Sequence, residues 1–138
     1  MGEVTAYLGL GSNLGDREKN LSQAVELLGK TPGIRVIKVS QFRESKPIGP
    51  IKQPDFLNGA VSVATTLKPL GLLDAVLAIE QKLGRIRGER WGPRLIDLDL
   101  LVYGTETVSN ARLTVPHPEM RQREFVMTPL RELGYRDE

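Results

Sequence analysis

Residues 91–103 read Trp91-Gly92-Pro93-Arg94-Leu95-Ile96-Asp97-Leu98-Asp99-Leu100-Leu101-Val102-Tyr103, and the alternation in this run decides the fold. A run rich in β-formers after a Gly-Pro break predicts a strand, whose side chains point alternately to its two faces. Asp97 and Asp99 then share a face, about 6.6 Å apart along the backbone, and Ile96, Leu98, Leu100 and Val102 take the opposite face, which can be buried. Arg85, Arg87, Arg90 and Arg94 come just before or within this run. One short segment thus offers hard oxygen ligands for a cation and guanidinium groups for an anion, and magnesium triphosphate needs both.

Upstream, Thr66–Lys82 reads as a helix with Pro69 at a first helical position, Leu73, Val76, Leu77 and Leu83 on one side, and Gly84 as its stop. Glu80 projects from the edge of that stripe near the C-terminal end, where the helix dipole disfavours a carboxylate. It either pairs with one of the following arginines or meets a ligand. Phe56–Thr65 reads as a strand with Phe56, Asn58, Ala60 and Ser62 on one face. Taken alone, Phe56 is a core aromatic and Asn58 a turn former; an aromatic platform beside an amide that recognises a heterocycle is the functional alternative. Lys46–Pro54 holds three prolines, too many lost donors for a central strand or a helix, and predicts a stiffened loop. Ile34–Phe42 alternates as a strand with one wet face. At the N-terminus, Val4–Leu10 predicts a strand, Gly11–Gly15 a turn, and Asp16 the N-cap of a helix with Leu21, Ala24, Val25 and Leu28 at helical spacing. The Gly-x-Gly-Ser segment lacks the Lys-Ser/Thr ending of a phosphate loop, so a plain glycine turn is the simpler reading.

Downstream, Glu106–Ser109 and Arg112–Val115 predict a small hairpin turned at Asn110. His117, the only histidine, is flanked by Pro116 and Pro118. Such a residue is more often structural than catalytic, although the rigid backbone suits a side chain held at a site. Residues 119–134 suggest a short helix interrupted by Pro129. The order strand, helix, strand, strand, helix, strand predicts an α+β ferredoxin-like sandwich: a four-stranded antiparallel sheet with helices packed on one face.

Composition narrows the function. At 138 residues one domain spanning 1–138 is expected. A net charge of +2 does not point to a nucleic-acid coat. Without cysteine there is no disulfide, thiolate metal site or thiol nucleophile, so a cytoplasmic protein is expected, with no membrane partner and no apolar run of spanning length. The Asp pair alone could be a solvated strand face bridged to arginines. Against that, four arginines beside two acids are a costly arrangement unless metal and phosphate share the charge. Magnesium suits such carboxylate oxygens better than zinc. Phosphoryl or nucleotidyl transfer follows, with the acceptor unnamed.

The stretches Gly11-Ser12-Asn13-Leu14, Pro47-Ile48-Gly49-Pro50, Gln53-Pro54-Asp55-Phe56-Leu57-Asn58, Arg90–Asp99 and Leu113-Thr114-Val115-Pro116-His117 together resemble the 6-hydroxymethyl-7,8-dihydropterin pyrophosphokinase family, over nearly the whole chain. The resemblance implies a ferredoxin-like fold and transfer of the β,γ-diphosphate of ATP to the pterin hydroxymethyl group, giving AMP and the pterin diphosphate, a step of folate biosynthesis. It implies that Asp97 and Asp99 hold two Mg2+ ions, that Arg85 and Arg94 stabilise the transferring group, and that Glu80, Arg87, Arg90, Trp91, Arg94, Arg112, His117 and Arg123 bind ATP. The pterin would stack between Phe56 and Phe125, with Asn58, Ser45 and the Ile48 backbone at its polar edge and Trp91 closing over the site. ATP and the pterin are the expected partners, of a monomer. Phe56 stands where a tyrosine is common in that family, and Arg43 and Glu44 where an aromatic and a basic residue are. A nucleotidyltransferase is the rival enzyme, but its Gly-Ser lies close before its acids, whereas Ser12 and Asp97 are far apart. A ferredoxin-like RNA-binding module would need more aromatics than the 5% present.

Overall fold

The computed structural model describes residues 2–84 and 95–136. In chain order the elements are β1 (Val4–Ser12), α1 (Arg17–Gly29), β2 (Ile34–Val39), β3 (Arg43–Ser45), β4 (Phe56–Thr65), α2 (Pro69–Lys82), β5 (Asp97–Tyr103), β6 (Val108–Ser109), β7 (Thr114–Val115), a 3₁₀ turn (Met120–Gln122) and α3 (Glu124–Glu132). The main sheet runs β2-β4-β1-β5 with every pairing antiparallel, and β3 lies along β4 beyond the end of β2. This α+β architecture is compatible with a ferredoxin-like fold.

The sheet has five strands among the described residues, not four, because the β2 edge is broken and resumes as β3. At the break, the Phe42 ring lies over Gly59 so closely that a Cβ there would stand 2.7 Å from Phe42 Cδ1. Ser40 Oγ meanwhile accepts from the Ala60 amide at 2.9 Å. Ring and hydroxyl together take the place of one stretch of ladder.

Helix α1 starts where its cap predicts, with the Lys19 amide donating to Asp16 Oδ1 at 3.1 Å. Pro69 opens α2. Both helices cover one face of the sheet: Leu21, Ala24 and Leu28 of α1 and Leu72, Val76 and Ile79 of α2 close over Ala6, Leu8, Leu10, Val61, Val63, Leu98 and Leu100. Each fully buried Leu or Val contributes about 1.5–3 kcal/mol. The expected α2 stripe is thus turned: Leu72 and Ile79 are buried, while Leu77 stays 36% exposed.

The expectation that all helices pack on one face is also corrected. Helix α3 lies on the other face, where Met127 and Leu130 pack with Met120 against Ala60, Leu101 and Val102. Pro129 sits inside α3 without ending it. Glu132 ties this helix to the broken edge, accepting from the Gln41 amide at 2.9 Å and pairing with Arg43 Nη2 at 2.7 Å. The Gln41 amide and the Arg43 guanidinium hold its carboxyl below the ordinary range, against a smaller opposing effect of burial.

The alternation expected for β5 holds only halfway. The pairing with β1 shifts between Tyr7 and Leu8, which face Val102 and Leu100, so Leu101 is an extra residue in a β-bulge. Beyond it, Val102 joins Leu101 on the α3 face and Tyr103 takes the core position expected for Val102. The face carrying Asp97 and Asp99 is unaffected.

Candidate active site

Two groups of polar side chains meet at Asp97, one on the sheet face opposite α1 and α2 and the other along the β5 edge beside α2. In the register, Asn58 of β4 pairs with Gly11 of β1, and Gly11 pairs with Asp97 of β5. Gly11 is a floor: a Cβ there would stand 3.2 Å from Asn58 Nδ2, 3.7 Å from Phe56 Cδ1 and 3.9 Å from Asp97 Cβ. The Asn58 amide, the Phe56 ring and the Asp97 side chain therefore converge within about a van der Waals contact of one point. Asn58 is buried, and Ser45 Oγ on β3 donates to its Oδ1. The other end of the amide, Asn58 Nδ2, faces the glycine. The plainer reading of Phe56 and Asn58 as core and turn residues fails, since Asn58 lies mid-strand and Phe56 is half-buried at the strand end.

The second group lines a cleft of about 340 Å³ between α2, β5 and the residues around the β6–β7 hairpin, containing Glu80, Asp97, Asp99, Arg112 and His117. Leu73, Leu77, Leu100 and Leu113 give it apolar walls. The turned α2 stripe explains these walls, because it leaves Leu77 free to line the opening. Asp97 belongs to both groups.

Glu80 is only 3% exposed, and its Oε2 accepts from the Leu98 amide at 2.7 Å. Leu98 separates the two aspartates on β5, the edge strand among the described residues, and its N–H points away from β1. The acid near the end of α2 thus brackets β5; the arginines that follow it lie outside the described residues. Asn110 Oδ1 shapes the hairpin by accepting from the Arg112 and Leu113 amides at 2.9 and 3.0 Å. Arg112 Nη2 pairs with Asp74 at 2.5 Å, and Arg123 with Glu119 at 3.4 Å. Exposed pairs such as Arg112–Asp74 contribute at most about 1 kcal/mol, so a phosphate can displace the carboxylate.

His117 is anchored by its amide to the Leu101 carbonyl at 2.8 Å, and its Nδ1 accepts from the Glu119 amide at 3.2 Å. This places the proton of the neutral ring on Nε2. Burial, then repulsion from Arg123, lowers its pKa from 6.5, opposed in part by Glu119. The unfolded chain consequently takes up the proton first, and this residue's contribution to stability declines as the pH falls below about 6.5 and through the folded pKa. Because the chain has one histidine, a proton NMR titration reads it directly. Its pKa should fall below 6.5, and Arg123→Met should raise it; a midpoint unmoved by that change would place Arg123 away from the ring.

Of the other anticipated residues, Ile48 lies exposed on the proline loop, and Phe125 and Arg123 lie at the start of α3, where the Arg123 guanidinium is 5.9 Å from the Phe125 ring centre. Arg85, Arg87, Arg90, Trp91 and Arg94 lie outside the described residues. Sequence reasoning missed Gly11 as a floor. It also missed Asn13, which is buried and donates to Gln53 Oε1 at 2.8 Å and the Pro54 carbonyl at 2.9 Å, pinning the proline loop to the β1–α1 turn. A larger cleft of about 530 Å³ is lined by Met127, Arg131, Gly134, Tyr135 and Arg136, with no carboxylate among the described residues that line it.

Among the described residues no three His, Cys, Asp or Glu groups combine as a metal site. Two carboxylates suit an ion whose remaining ligands are phosphate and water oxygens, the usual state of magnesium at a nucleotide. An α+β fold with a strand-borne Asp pair, an apolar cleft with cationic residues, and a buried amide near an aromatic ring defines a class: a phosphate-transferring enzyme with an acceptor of its own. The chain matches the family model for 7,8-dihydro-6-hydroxymethylpterin-pyrophosphokinase (HPPK) over residues 7–135, and it belongs to that family. It is 52% identical over 129 residues to the 2-amino-4-hydroxy-6-hydroxymethyldihydropteridine pyrophosphokinase of Methylorubrum extorquens, covering 94% of this chain and 82% of that protein. The Haemophilus influenzae protein of the same name is 45% identical over 131 residues, covering 95% and 82%. The Bifunctional protein FolKE of Lactococcus lactis subsp. cremoris is 50% identical over 129 residues, with 94% of this chain but only 37% of that longer protein covered.

Proposed function

We propose that residues 1–138 act as one pyrophosphokinase domain that moves the β,γ-diphosphate of ATP to the hydroxymethyl group of 6-hydroxymethyl-7,8-dihydropterin, releasing AMP in folate biosynthesis. The observation that carries this reading is the position of Asp97, which lies both beside the Gly11 floor and in the apolar cleft. A residue shared by two substrate sites is what in-line transfer between them requires.

In this reading the cleft takes the nucleotide. Leu73, Leu77 and Leu113 pack against the base, and Arg112, Arg123 and His117 Nε2 hold phosphate or ribose oxygens, with Arg87, Arg90 and Trp91 completing the ATP side. The acceptor stacks on Phe56 and Phe125, with Asn58 Nδ2 donating to its heterocycle and Ser45 and the Ile48 backbone at its rim. Asp97 and Asp99 hold two Mg2+ ions, which when bound would neutralise the phosphates and the charge that develops on transfer. Arg85 and Arg94 add fixed positive charge at the transferring group. A monomer suffices, since one chain supplies both sites. No helix among the described residues is long and apolar enough to cross a membrane; the reading puts the reaction in the cytoplasm, with its two small polar substrates.

The test is to incubate the protein with magnesium, ATP and the reduced pterin and identify the nucleotide product. AMP formation that depends on the pterin is expected. ADP, or pyrophosphate as in nucleotidyl transfer, would overturn the reading.

A further inference from the structure

The side chain of Asn20 is spent on a contact outside its own helix. Asn20 lies in the first turn of α1, a position where asparagine has no helical advantage. Its Nδ2 donates to the Leu14 carbonyl at 2.9 Å, to Ser12 Oγ at 3.1 Å and to the Leu95 carbonyl at 3.2 Å. An amide nitrogen has two hydrogens, so one is shared among these acceptors. The bond to Leu95 joins positions 75 apart in sequence, and Leu95 is two residues before Asp97.

Leu95 itself is wedged. Its Cδ1 lies 3.8 Å from where Gly15 would carry a Cβ, and its Cδ2 lies 3.8 Å from that point on Gly84. Both glycines have positive φ, at 65° and 85°, so a side chain at either would strain the backbone that Leu95 packs against. Ile96 follows, fully buried. On the far side of Asp97, the Leu98 amide is held by Glu80 from α2. The backbone carrying Asp97 is thus gripped from both helices: Asn20 of α1 holds the carbonyl before it and Glu80 of α2 holds the N–H after it.

We infer that Asn20 is a positioning residue for the Asp97 carboxylate, setting the backbone entry to β5 so that the carboxylate meets a divalent cation and the nucleotide phosphates. This rests on the proposal that Asp97 is a metal ligand. Partners of this outer kind are usually worth about 10–100-fold in metal affinity or activity. The acceptor side should be spared, because Asn58 is held by Ser45 of the neighbouring strand and not by α1.

Asn20→Ala removes the donor, and Asn20→Asp keeps the shape but turns a carboxylate toward the Leu14 and Leu95 carbonyls. Binding of Mn2+ with a non-hydrolysable ATP analogue, followed by electron paramagnetic resonance, should weaken about tenfold or more in the alanine variant and further in the aspartate variant. In the alanine variant kcat should fall about tenfold or more, with the KM for the pterin within about twofold of the parent. Thermal unfolding of each variant reports whether it is folded, and Asp97→Asn is measured beside them. Parent-like Mn2+ binding in folded Asn20 variants, or a loss that falls equally on the pterin KM, would overturn the inference while leaving the metal role of Asp97 intact. Parent-like binding and turnover in Asp97→Asn would instead remove the metal reading underneath it. If neither Asn20 variant folds, the residue serves the fold and the inference fails.

Discussion

Asp97→Asn and Asp99→Asn should each lower turnover by about a thousandfold or more while leaving the protein folded. The amide is nearly isosteric with the carboxylate and keeps one acceptor oxygen, so packing changes little. What is lost is the negative charge that a hard cation needs. A metal acting on a phosphoryl group supplies several kcal/mol of charge stabilisation, and about 4 kcal/mol corresponds to three powers of ten in rate. The fold should tolerate both changes. Asp99 is exposed, and the neighbouring residues Leu98 and Leu100 keep β5 in the core. Removing one of two like charges on the same strand face relieves repulsion and offsets part of what the lost carboxylate contacts cost, so the unfolding midpoint should change little. Rates of AMP formation at saturating substrates, with thermal unfolding by circular dichroism, check both halves. Near-normal turnover in either variant would argue against ligation by that residue.

Glu80→Ala should be the most damaging change away from Asp97 and Asp99. It leaves the Leu98 amide buried without its acceptor, at a cost of about 1–3 kcal/mol in stability, and frees the edge of β5 between the two aspartates. Turnover should fall about 10–100-fold through loss of carboxylate placement. Glu80→Gln retains an acceptor oxygen and should recover most of the stability, which separates the hydrogen bond from the charge. Faster hydrogen exchange at the Leu98 amide in the alanine variant, reversed in the glutamine variant, is the direct readout. Equal exchange in both would place the role of Glu80 elsewhere.

Much of this molecule is written in local pattern. Asp16 is a cap in the sequence and in space, Pro69 opens its helix, Asn110 turns its hairpin, and Phe56–Thr65 is a strand with the anticipated bounds. Asp97 and Asp99 share their face because strand geometry allows nothing else at that spacing. The failures all involve partners far away in sequence. Arg43-Glu44-Ser45 has no apolar alternation, and it becomes a strand only because β4 runs past the end of β2. The side of the sheet that α3 covers depends on Ala60, Leu101 and Val102, which no helical periodicity in residues 119–134 encodes. Glu80 was visible as a misplaced acid, yet its partner is a backbone amide, and amides leave no mark in a sequence. Asn20 carried no signal at all, being one polar residue in a helix whose apolar stripe was already complete.

The bulge at Leu101 works as a phase break in β5. Without it, every residue of the strand would be locked to one alternation, and any insertion, deletion or repacking near Tyr103 would turn the aspartates as well. With it, the half carrying Asp97 and Asp99 and the half carrying Val102 and Tyr103 are registered separately, one against Gly9 and Gly11 and the other against Ala6 and Tyr7. The strand is therefore modular along its length, and the end beyond Leu101 can be redesigned, or drift over evolutionary time, without rotating the chemistry at the other end.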